Sequence, residues 1–284
     1  MCENSDQTAA VVNKIIPFSS VDGPGNRTAI FFQGCNFDCL YCHNPETINL
    51  CSDCGKCVPV CPTSALEMVV GRVFWQEDLC INCDKCLEIC ERDSSPQVRE
   101  MTVNQVLKKI EKNKPFISGV TVSGGEALLQ SDFIKDLFRE VKKLGLTTFL
   151  DTNGSISLAE KDELLEYFDQ AMIDAKSFKN AEHQSLTGRK NDQVLENIKF
   201  MAGRDKLYEV RTVIVPELLN NYYNVDQISN LLGEIAPDVR YKLIKYRSAG
   251  VRTDKIETET PGDDYMQQLA DRASENGCQN VVVV

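Results

Sequence analysis

Three closely spaced cysteines, Cys35, Cys39 and Cys42, are the residues whose types and spacing most directly predict chemistry. Their C-x3-C-x2-C pattern supplies three thiolates, whereas tetrahedral metal sites and cubane iron–sulfur clusters normally take four protein ligands. A cluster held by three thiolates leaves one iron with an open coordination position, and open positions are where metal sites do catalysis. The triad therefore predicts a catalytic cluster.

Two other sources of a fourth ligand stay open. Cys2 and Cys278 lie near the two ends of the chain, without a partner at ligand spacing. His43 directly follows the last cysteine of the triad and would give a Cys3His zinc site, although a neighbouring residue closes a tetrahedron only with strain.

Eight further cysteines form two blocks with the same internal spacing, C-x2-C-x2-C-x3-C. This is the spacing of two-cluster ferredoxins, in which three cysteines of a block bind one cluster and the fourth ligates the other cluster. Two further 4Fe–4S clusters are therefore predicted; a pair of structural zinc sites is the alternative, because zinc also takes four thiolates. The first cluster is assigned to Cys51, Cys54, Cys57 and Cys90, and the second to Cys80, Cys83, Cys86 and Cys61.

The elements that position these cysteines can also be read from the sequence. Residues 51–95, the cysteine-rich segment, have short spacings and few long apolar periods, which predicts a small inserted module held by metal rather than by a core. Around it, β-rich runs alternate with amphipathic helical runs about six times, which predicts a parallel sheet with right-handed crossovers. We therefore expect an α/β barrel, partial or full, formed by residues 1–50 and 96–284, with residues 51–95 inserted between them.

The individual runs give definite expectations. Strands are predicted at 27–34, 119–125, 146–151, 170–176, 208–216 and 239–246, with the tail QNVVVV as a last strand. Helices are predicted at 102–113, 131–145, 157–168, 192–203, 224–233 and 264–277.

Composition narrows the class of protein. Of the 13 cysteines, 11 lie between Cys35 and Cys90, a density that indicates metal or redox chemistry. The start of the chain lacks the features of a signal peptide and no run is long enough to span a membrane, so we expect a cytoplasmic protein in a reducing compartment. The formal net charge of −11 argues against nucleic-acid binding.

Specific motifs extend this interpretation. The triad, with an aromatic residue before its last cysteine, resembles the radical S-adenosylmethionine (SAM) enzymes. The preceding VDGPGNRTAIFFQGC and the following HNPET are similar to the glycyl-radical-enzyme activating enzymes, the family of pyruvate formate-lyase activase. The cysteine-rich segment resembles that of a subgroup, and the chain looks most like its YjjW-type members. The resemblance runs from about Ile15 to the region of Arg247.

The resemblance implies a fold, cofactors and partners. The fold is a partial (β/α)6 barrel with an inserted two-cluster ferredoxin-like module, and the cofactors are three 4Fe–4S clusters and SAM. SAM supplies the missing fourth ligand through its amino and carboxylate groups, and an electron from the cluster cleaves it to methionine and a 5′-deoxyadenosyl radical. That radical abstracts the Cα hydrogen of a glycine in a partner glycyl radical enzyme. The inserted clusters relay electrons from a flavodoxin or ferredoxin, or dock the partner.

The resemblance also implies residues that hold SAM. Gly124, Gly125 and Glu126 match the family's GGE motif, in which glycines let the backbone approach a ligand and the glutamate accepts a hydrogen bond from the methionyl ammonium. Asp174 and Lys176 match its D-x-K motif, with the lysine for the SAM carboxylate and the aspartate for a ribose hydroxyl or a monovalent cation. Alone, the first would be read as a turn and the second as a solvated ion pair.

Further positions follow the same resemblance. Asp151 in LDTNG is a candidate for binding a cation or for positioning SAM. Arg211 matches a family position whose side chain faces the barrel interior and binds the cofactor; a structural ion pair is the alternative for this residue. Tyr41 and His43 are expected beside the adenine. The family often has proline after GGE and histidine after LPY; here these positions are Ala127 and Arg247. Arg247 is expected at the SAM site, where its guanidinium can stack on the adenine and donate hydrogen bonds.

His183 is expected on a helix surface.

Two alternative functions are also open. An electron-transfer protein that works through the cysteine-rich segment would cycle electrons without binding SAM. A radical SAM enzyme that acts on a small molecule would cleave SAM without a protein partner.

Overall fold

The computed structural model describes residues 8–284, so Cys2 lies outside the described residues. The chain separates into two compact units. Unit 1 comprises the described residues up to 36 together with 44–140, and unit 2 comprises 37–43 and 141–284, so the boundary falls within one helix.

Unit 1 contains a sheet, a separate hairpin and the first three helices. Its strands are β1 (Ala9–Ser19), β2 (Arg27–Phe32), β3 (Leu66–Val69), β4 (Arg72–Trp75), β5 (Arg99–Thr102) and β6 (Gly119–Gly124). Its helices are α1 (Lys85–Glu88), α2 (Val103–Asn113) and α3 (Ser131–Lys143), the last of which crosses the boundary. The sheet order is β6-β2-β1-β5, with β2 and β6 parallel and β1 antiparallel to both its neighbours; β3 and β4 form the hairpin.

Unit 2 is a parallel sheet whose strands follow chain order. They are β7 (Thr147–Thr152), β8 (Gln170–Asp174), β9 (Leu207–Ile214), β10 (Arg240–Lys245) and β11 (Val281–Val283). The helices are α4 (Asp162–Leu165), α5 (Asn180–Thr187), α6 (Asp192–Ala202), α7 (Asn221–Ile235) and α8 (Asp263–Glu275). The predicted alternation of strands and helices with parallel pairing is confirmed in this unit.

Local sequence explains why the helices form where they do. Thr102 and Gln105 make a reciprocal capping box at the start of α2, whose apolar residues Val106 and Ile110 are fully buried. The apolar stripe of α3 is buried in the same way. In β6 every residue but the last is buried, as expected for a parallel strand covered on both faces.

Two expectations about elements were wrong, and three elements were missed. The long helix predicted at 157–168 is reduced to α4, because Asn197 of α6 binds the preceding backbone: its amide donates to the Gly154 and Ile156 carbonyls at 2.8 Å and accepts from Leu158 N at 3.0 Å. The predicted strand at 170–176 ends at Asp174. The antiparallel strands β1 and β5 and the helix α5 were not predicted.

The cysteine-rich segment has little regular structure. Besides the β3–β4 hairpin, a short 3-10 helix at Glu77–Leu79 and the one-turn α1, it consists of turns and extended backbone. Its small buried cluster centres on Cys57, Leu66 and Cys86, with Trp75 packed against them. None of the helices within residues 8–284 combines the length and hydropathy that a bilayer crossing requires.

Candidate active site

In unit 1, the turn after β6 packs directly against the residue that precedes the cysteine triad. Glu126 N donates a hydrogen bond to Gly34 O at 2.8 Å. A Cβ at Gly125 would overlap the same carbonyl oxygen, and Gly124 has a φ of +125° with the β2 backbone where its Cβ would be. Both glycines are therefore required for close packing of one backbone on another.

The side chain of Glu126 organises this turn. It is 1% exposed, and its carboxylate accepts a hydrogen bond from Leu128 N at 2.9 Å, which caps a short 3-10 turn, Ala127–Gln130. Ala127, where the family resemblance led us to expect proline, is fully buried within it. The turn therefore forms without the proline.

In unit 2, residues 37–43 carry the other two triad cysteines and are held by the end of α5. The backbone N–H groups of Asp38 and Leu40 donate to the carbonyls of Thr187 and Leu186, both at 3.0 Å. These bonds tie the backbone on either side of the middle cysteine to a helix end.

A buried arginine, which sequence analysis missed, completes this anchoring. Arg252 is 9% exposed; its guanidinium donates to the carbonyl of Cys39 at 2.8 Å and pairs with Asp38 at 2.6 Å. Burial raises the pKa of Asp38, but the hydrogen bond and charge of Arg252 lower it more, so the pair stays ionised at neutral pH. The carboxylate of Asp38 inside the triad was the only sequence signal for such a partner.

The expectation that His183 lies on a helix surface was wrong. It is fully buried on α5, edge-on to the ring of Phe37 at 5.4 Å, and its Nδ1 lies 2.7 Å from the carbonyl oxygen of Arg189. Because a carbonyl only accepts, Nδ1 donates. Burial lowers the pKa of His183, which keeps the ring neutral. Spacing on α5 could have shown this, because Leu186 and Thr187 share the same helix face.

Four charged residues at the strand ends of unit 2 form one network. Asp174, the last residue of β8, accepts from Arg211 Nε at 2.7 Å and from Lys176 Nζ at 3.0 Å. Arg211, on β9, also pairs with Asp151 on β7. The structure thus brings together Asp151, Asp174, Lys176 and Arg211, although Lys176 lies beyond the strand on which it was predicted.

The network keeps its charges across the neutral range. Burial raises the pKa of Asp174, but Arg211 and Lys176 outweigh it and bring the pKa to about 2. Burial opposes the charge of Lys176, yet Asp174 beside it holds its pKa well above the usual value. Two carboxylates and two cations therefore balance each other.

Tyr41 faces this network from residues 37–43. Lys176 Nζ lies 5.8 Å from the centre of the Tyr41 ring, within the range of a cation–π contact. The ring is 2% exposed, and its hydroxyl has no hydrogen-bond partner among residues 8–284. A buried hydroxyl without a partner is costly, so this atom is a candidate for binding a ligand.

His43 and Arg247 contact each other in a way the sequence did not predict. His43 Nε2 lies 3.0 Å from the backbone oxygen of Arg247, so the contact uses the Arg247 carbonyl while its side chain is exposed. Gly250 packs closely on the carbonyl of His43. Burial lowers the pKa of His43, which keeps its ring neutral at neutral pH.

The eight cysteines of the cysteine-rich segment line two cavities in unit 1. A cavity of about 230 Å³ is lined by Cys51, Cys54, Cys57 and Cys90, with Cys86 also at its wall. A smaller cavity of about 20 Å³ is lined by Cys61, Cys80, Cys83 and Cys86. The smaller cavity therefore takes three cysteines from the second block and one from the first, whereas the larger takes three from the first block and two, Cys86 and Cys90, from the second.

The remaining cysteine of the described chain is buried elsewhere. The thiol of Cys278 donates to Ser229 O on α7 at 3.6 Å, and burial raises its pKa to about 11. Within residues 8–284, no three side chains of His, Cys, Asp or Glu lie close enough together to hold a single metal ion.

This chain is similar to known proteins in both sequence and fold. The radical SAM superfamily profile matches residues 29–220. The pyruvate formate-lyase 1-activating enzyme of Escherichia coli (strain K12) is 32% identical over 254 residues, which cover 85% of this chain and 83% of that protein. The indoleacetate decarboxylase activating enzyme of Tractidigestivibacter scatoligenes is 28% identical over 305 residues and covers 96% of this chain and 97% of that protein.

A solved structure extends the likeness in fold. QueE from Escherichia coli aligns with a TM-score of 0.56 over 97% of this chain and 94% of that one, at 12% identity. The fold is thus mixed α/β of the radical SAM type. The profile match and the identity to an activating enzyme over most of both chains show that the chain belongs to the radical SAM superfamily, as an enzyme homologous to the glycyl-radical-enzyme activating enzymes.

Proposed function

We propose that this enzyme installs a glycyl radical in a partner glycyl radical enzyme. Cys35, Cys39 and Cys42 would hold a cluster that supplies the electron for reductive cleavage of SAM, and the chemistry of bound SAM would serve to remove the Cα hydrogen of a glycine in the partner. The observation that carries this proposal is the alignment to proteins named as activating enzymes, over 85% and 96% of this chain. The cysteine triad and its anchored backbone supply the matching site.

The residues of unit 2 fit a bound SAM. Lys176 offers a buried ammonium for the methionyl carboxylate, and the unpartnered hydroxyl of Tyr41 beside it supports a ligand there. Asp174 would accept a ribose hydroxyl, while Arg211 holds it in place. Because the network is already balanced, a monovalent cation at Asp151 would have to displace Arg211 from its carboxylate.

The remaining candidate residues are also proposed to bind cofactors. Since the side chain of Glu126 already caps its own turn, we propose that the backbone of Gly124–Glu126 contributes to this binding alongside the carboxylate. His43 and Arg247 would lie beside the nucleoside, with Arg247 acting through the carbonyl that fixes His43. Cys35, Cys39 and Cys42 would hold the cluster and leave one iron for the cofactor.

We also propose that the cysteine-rich segment is a ferredoxin-like module of the YjjW-type subgroup, bounded by residues 1–50 and 96–284. The support is its two cavities, whose lining matches the crossed ligand sets of a two-cluster ferredoxin. The two clusters would relay electrons from a flavodoxin or ferredoxin to the SAM cluster. The 12 cysteines within residues 8–284 form no disulfide there, which suits the reducing cytoplasm that we propose as the location.

The experiment is electron paramagnetic resonance of a glycyl radical enzyme from the same organism, incubated anaerobically with this protein, SAM and dithionite. We expect a glycyl-radical doublet that requires both SAM and the intact triad. The control is Cys278→Ser, which keeps every proposed ligand and should leave the doublet intact. SAM cleavage without a doublet in any such enzyme would overturn the proposal in favour of a small-molecule substrate.

A further inference from the structure

The two cysteine-lined cavities differ in the hydrogen bonds that reach their sulfurs. In the smaller cavity, the side-chain amide of Gln97 donates to Cys86 Sγ at 3.3 Å and reaches Cys80 Sγ at 3.8 Å. Gln97 is itself fixed, because its backbone N–H donates to Ser95 Oγ at 3.0 Å. One side chain outside both cysteine blocks therefore contacts two cysteines of the same predicted set.

More donors surround the smaller cavity. Ala65 N donates to Cys61 Sγ at 3.2 Å. Trp75 lines the same cavity, and its indole N–H is buried without a hydrogen-bond partner in the described part of the chain. An indole N–H is a donor only, so sulfur is the kind of acceptor that would satisfy it here.

The larger cavity has fewer donors of this kind. At Cys51, Cys54, Cys57 and Cys90, the hydrogen bond that reaches a sulfur from another residue within residues 8–284 is that from Asp53 N to Cys51 Sγ, at 3.4 Å. The nearby lysine, Lys56, pairs with Glu91 on the surface rather than with a sulfur. The two sets of four thiolates are chemically alike, so their surroundings distinguish them.

Hydrogen bonds to cluster sulfurs stabilise the reduced form, which carries one more negative charge, and so raise the reduction potential. We propose that the cluster at Cys61, Cys80, Cys83 and Cys86 has the higher reduction potential of the auxiliary pair, and that the amide of Gln97 sets this difference. Gln97 is a positioning and tuning residue that acts through the thiolates. This inference rests on the proposed function, because it requires both auxiliary clusters.

The consequence is an order of electron occupancy. An electron taken from a one-electron donor protein occupies the auxiliary cluster beside Gln97, because that cluster has the higher reduction potential. Its transfer towards the SAM cluster must overcome the difference in potential between the two auxiliary clusters, which Gln97 helps to set. Gln97 would therefore control how much of the pair is reduced at a given donor potential.

The test is a redox titration followed by electron paramagnetic resonance, in a background whose triad cysteines are replaced by alanine so that two auxiliary clusters remain. Gln97→Met keeps the length of the side chain and removes the donor. We expect the higher of the two midpoint potentials to fall, with the ratio of reduced to oxidised cluster at fixed potential dropping about threefold to tenfold; tenfold corresponds to 59 mV for one electron. Cys83→Ser should perturb this same wave and Cys54→Ser the other one.

Two further variants make the result specific. Gln97→Glu keeps the shape but adds a negative charge, so the same potential should fall further, even if Gln97→Met binds its cluster poorly. Gln76→Met removes a glutamine that contacts Glu67 instead of a sulfur, and should move neither wave.

The outcomes separate the inference from the proposed function. Full iron content with both waves unmoved in Gln97→Met and Gln97→Glu, or a shift of the wave that responds to Cys54→Ser, overturns the inference alone. An iron content showing no auxiliary clusters in the unsubstituted segment overturns the inference and the proposed ferredoxin-like module, whereas the proposed activation of a partner fails only if no glycyl-radical doublet forms.

Discussion

At the scale of single residues, Asp174 has a central position in the charged network of unit 2. Its two carboxylate oxygens separately bind Arg211 and Lys176, so each cation has a fixed position before any ligand arrives. Because the pKa of Asp174 is about 2, this arrangement persists at any pH at which the enzyme works. A preformed ammonium of this kind suits recognition of a carboxylate.

The first prediction concerns Lys176→Met, which removes the proposed partner of the SAM carboxylate. Losing one charge-assisted hydrogen bond costs about 1.5–3 kcal/mol, so the Kd for SAM should rise about 10- to 100-fold with the cluster content unchanged. Anaerobic equilibrium dialysis with labelled SAM measures it. Lys142→Met, which breaks the ion pair with Asp169, is the matched control. An unchanged Kd in Lys176→Met would refute the assignment.

The second prediction concerns Arg252, whose guanidinium binds the carbonyl of Cys39 and the carboxylate of Asp38. Arg252→Gln should loosen residues 37–43 and lower the bound iron from about twelve to about eight per chain, as expected if one of three clusters is lost. Iron and acid-labile sulfide analysis measures this. Lys255→Met removes only a weak 3.5 Å contact to Asp38 and should keep all the iron. Equal iron in both variants would contradict the anchoring role.

At the scale of elements, the site depends on where strands and helices end. The turn after β6 fixes the end of β2, and the end of α5 fixes residues 37–43. Each unit thus uses its own backbone to hold its part of the triad. The free energy for this comes from buried helix and strand faces, since the triad segment has almost no regular structure of its own.

The third prediction tests the turn after β6. Gly125→Ala places a Cβ on the carbonyl oxygen of Gly34, so the backbone before Cys35 must shift and the triad cluster should be lost, while the auxiliary clusters remain. Gly145→Ala is the control: that glycine follows α3, has a φ of +75° and nothing within 4 Å, so only about 1–2 kcal/mol of backbone strain is expected. Iron content compares them. A full complement in Gly125→Ala would show that the turn does not position the triad.

Elements with a strong period were predictable, and those set by distant partners were not. The positions of α3, β6 and β9 could be predicted from the apolar stripe of α3 and the apolar runs of the two strands, because in these elements the sequence pattern matches the residues that are buried. The helix expected at 157–168 failed because Asn197, some forty residues later, takes over the backbone hydrogen bonds. The strand β1 lacked a clean alternation, and its partner β5 follows it only after the cysteine-rich segment.

At the scale of the whole molecule, the sequence pointed to candidate ligand residues more readily than to the residues that hold them in place. The cysteine spacings identified candidate ligands directly, because ligand chemistry constrains residue type and spacing, whereas GGE and D-x-K became candidates only through the family resemblance. Arg252 and Gln97 could not be predicted, because each acts through a contact made only in the folded chain. Such supporting residues leave no motif in a single sequence.

The most direct test of the central claim is the release of 5′-deoxyadenosine from SAM under dithionite, compared between the native chain and Cys42→Ala. The claim is that three cysteines hold a cluster with one iron left for SAM. It predicts release by the native chain and none by Cys42→Ala, with iron in the cysteine-rich segment retained. Undiminished release by Cys42→Ala would contradict it.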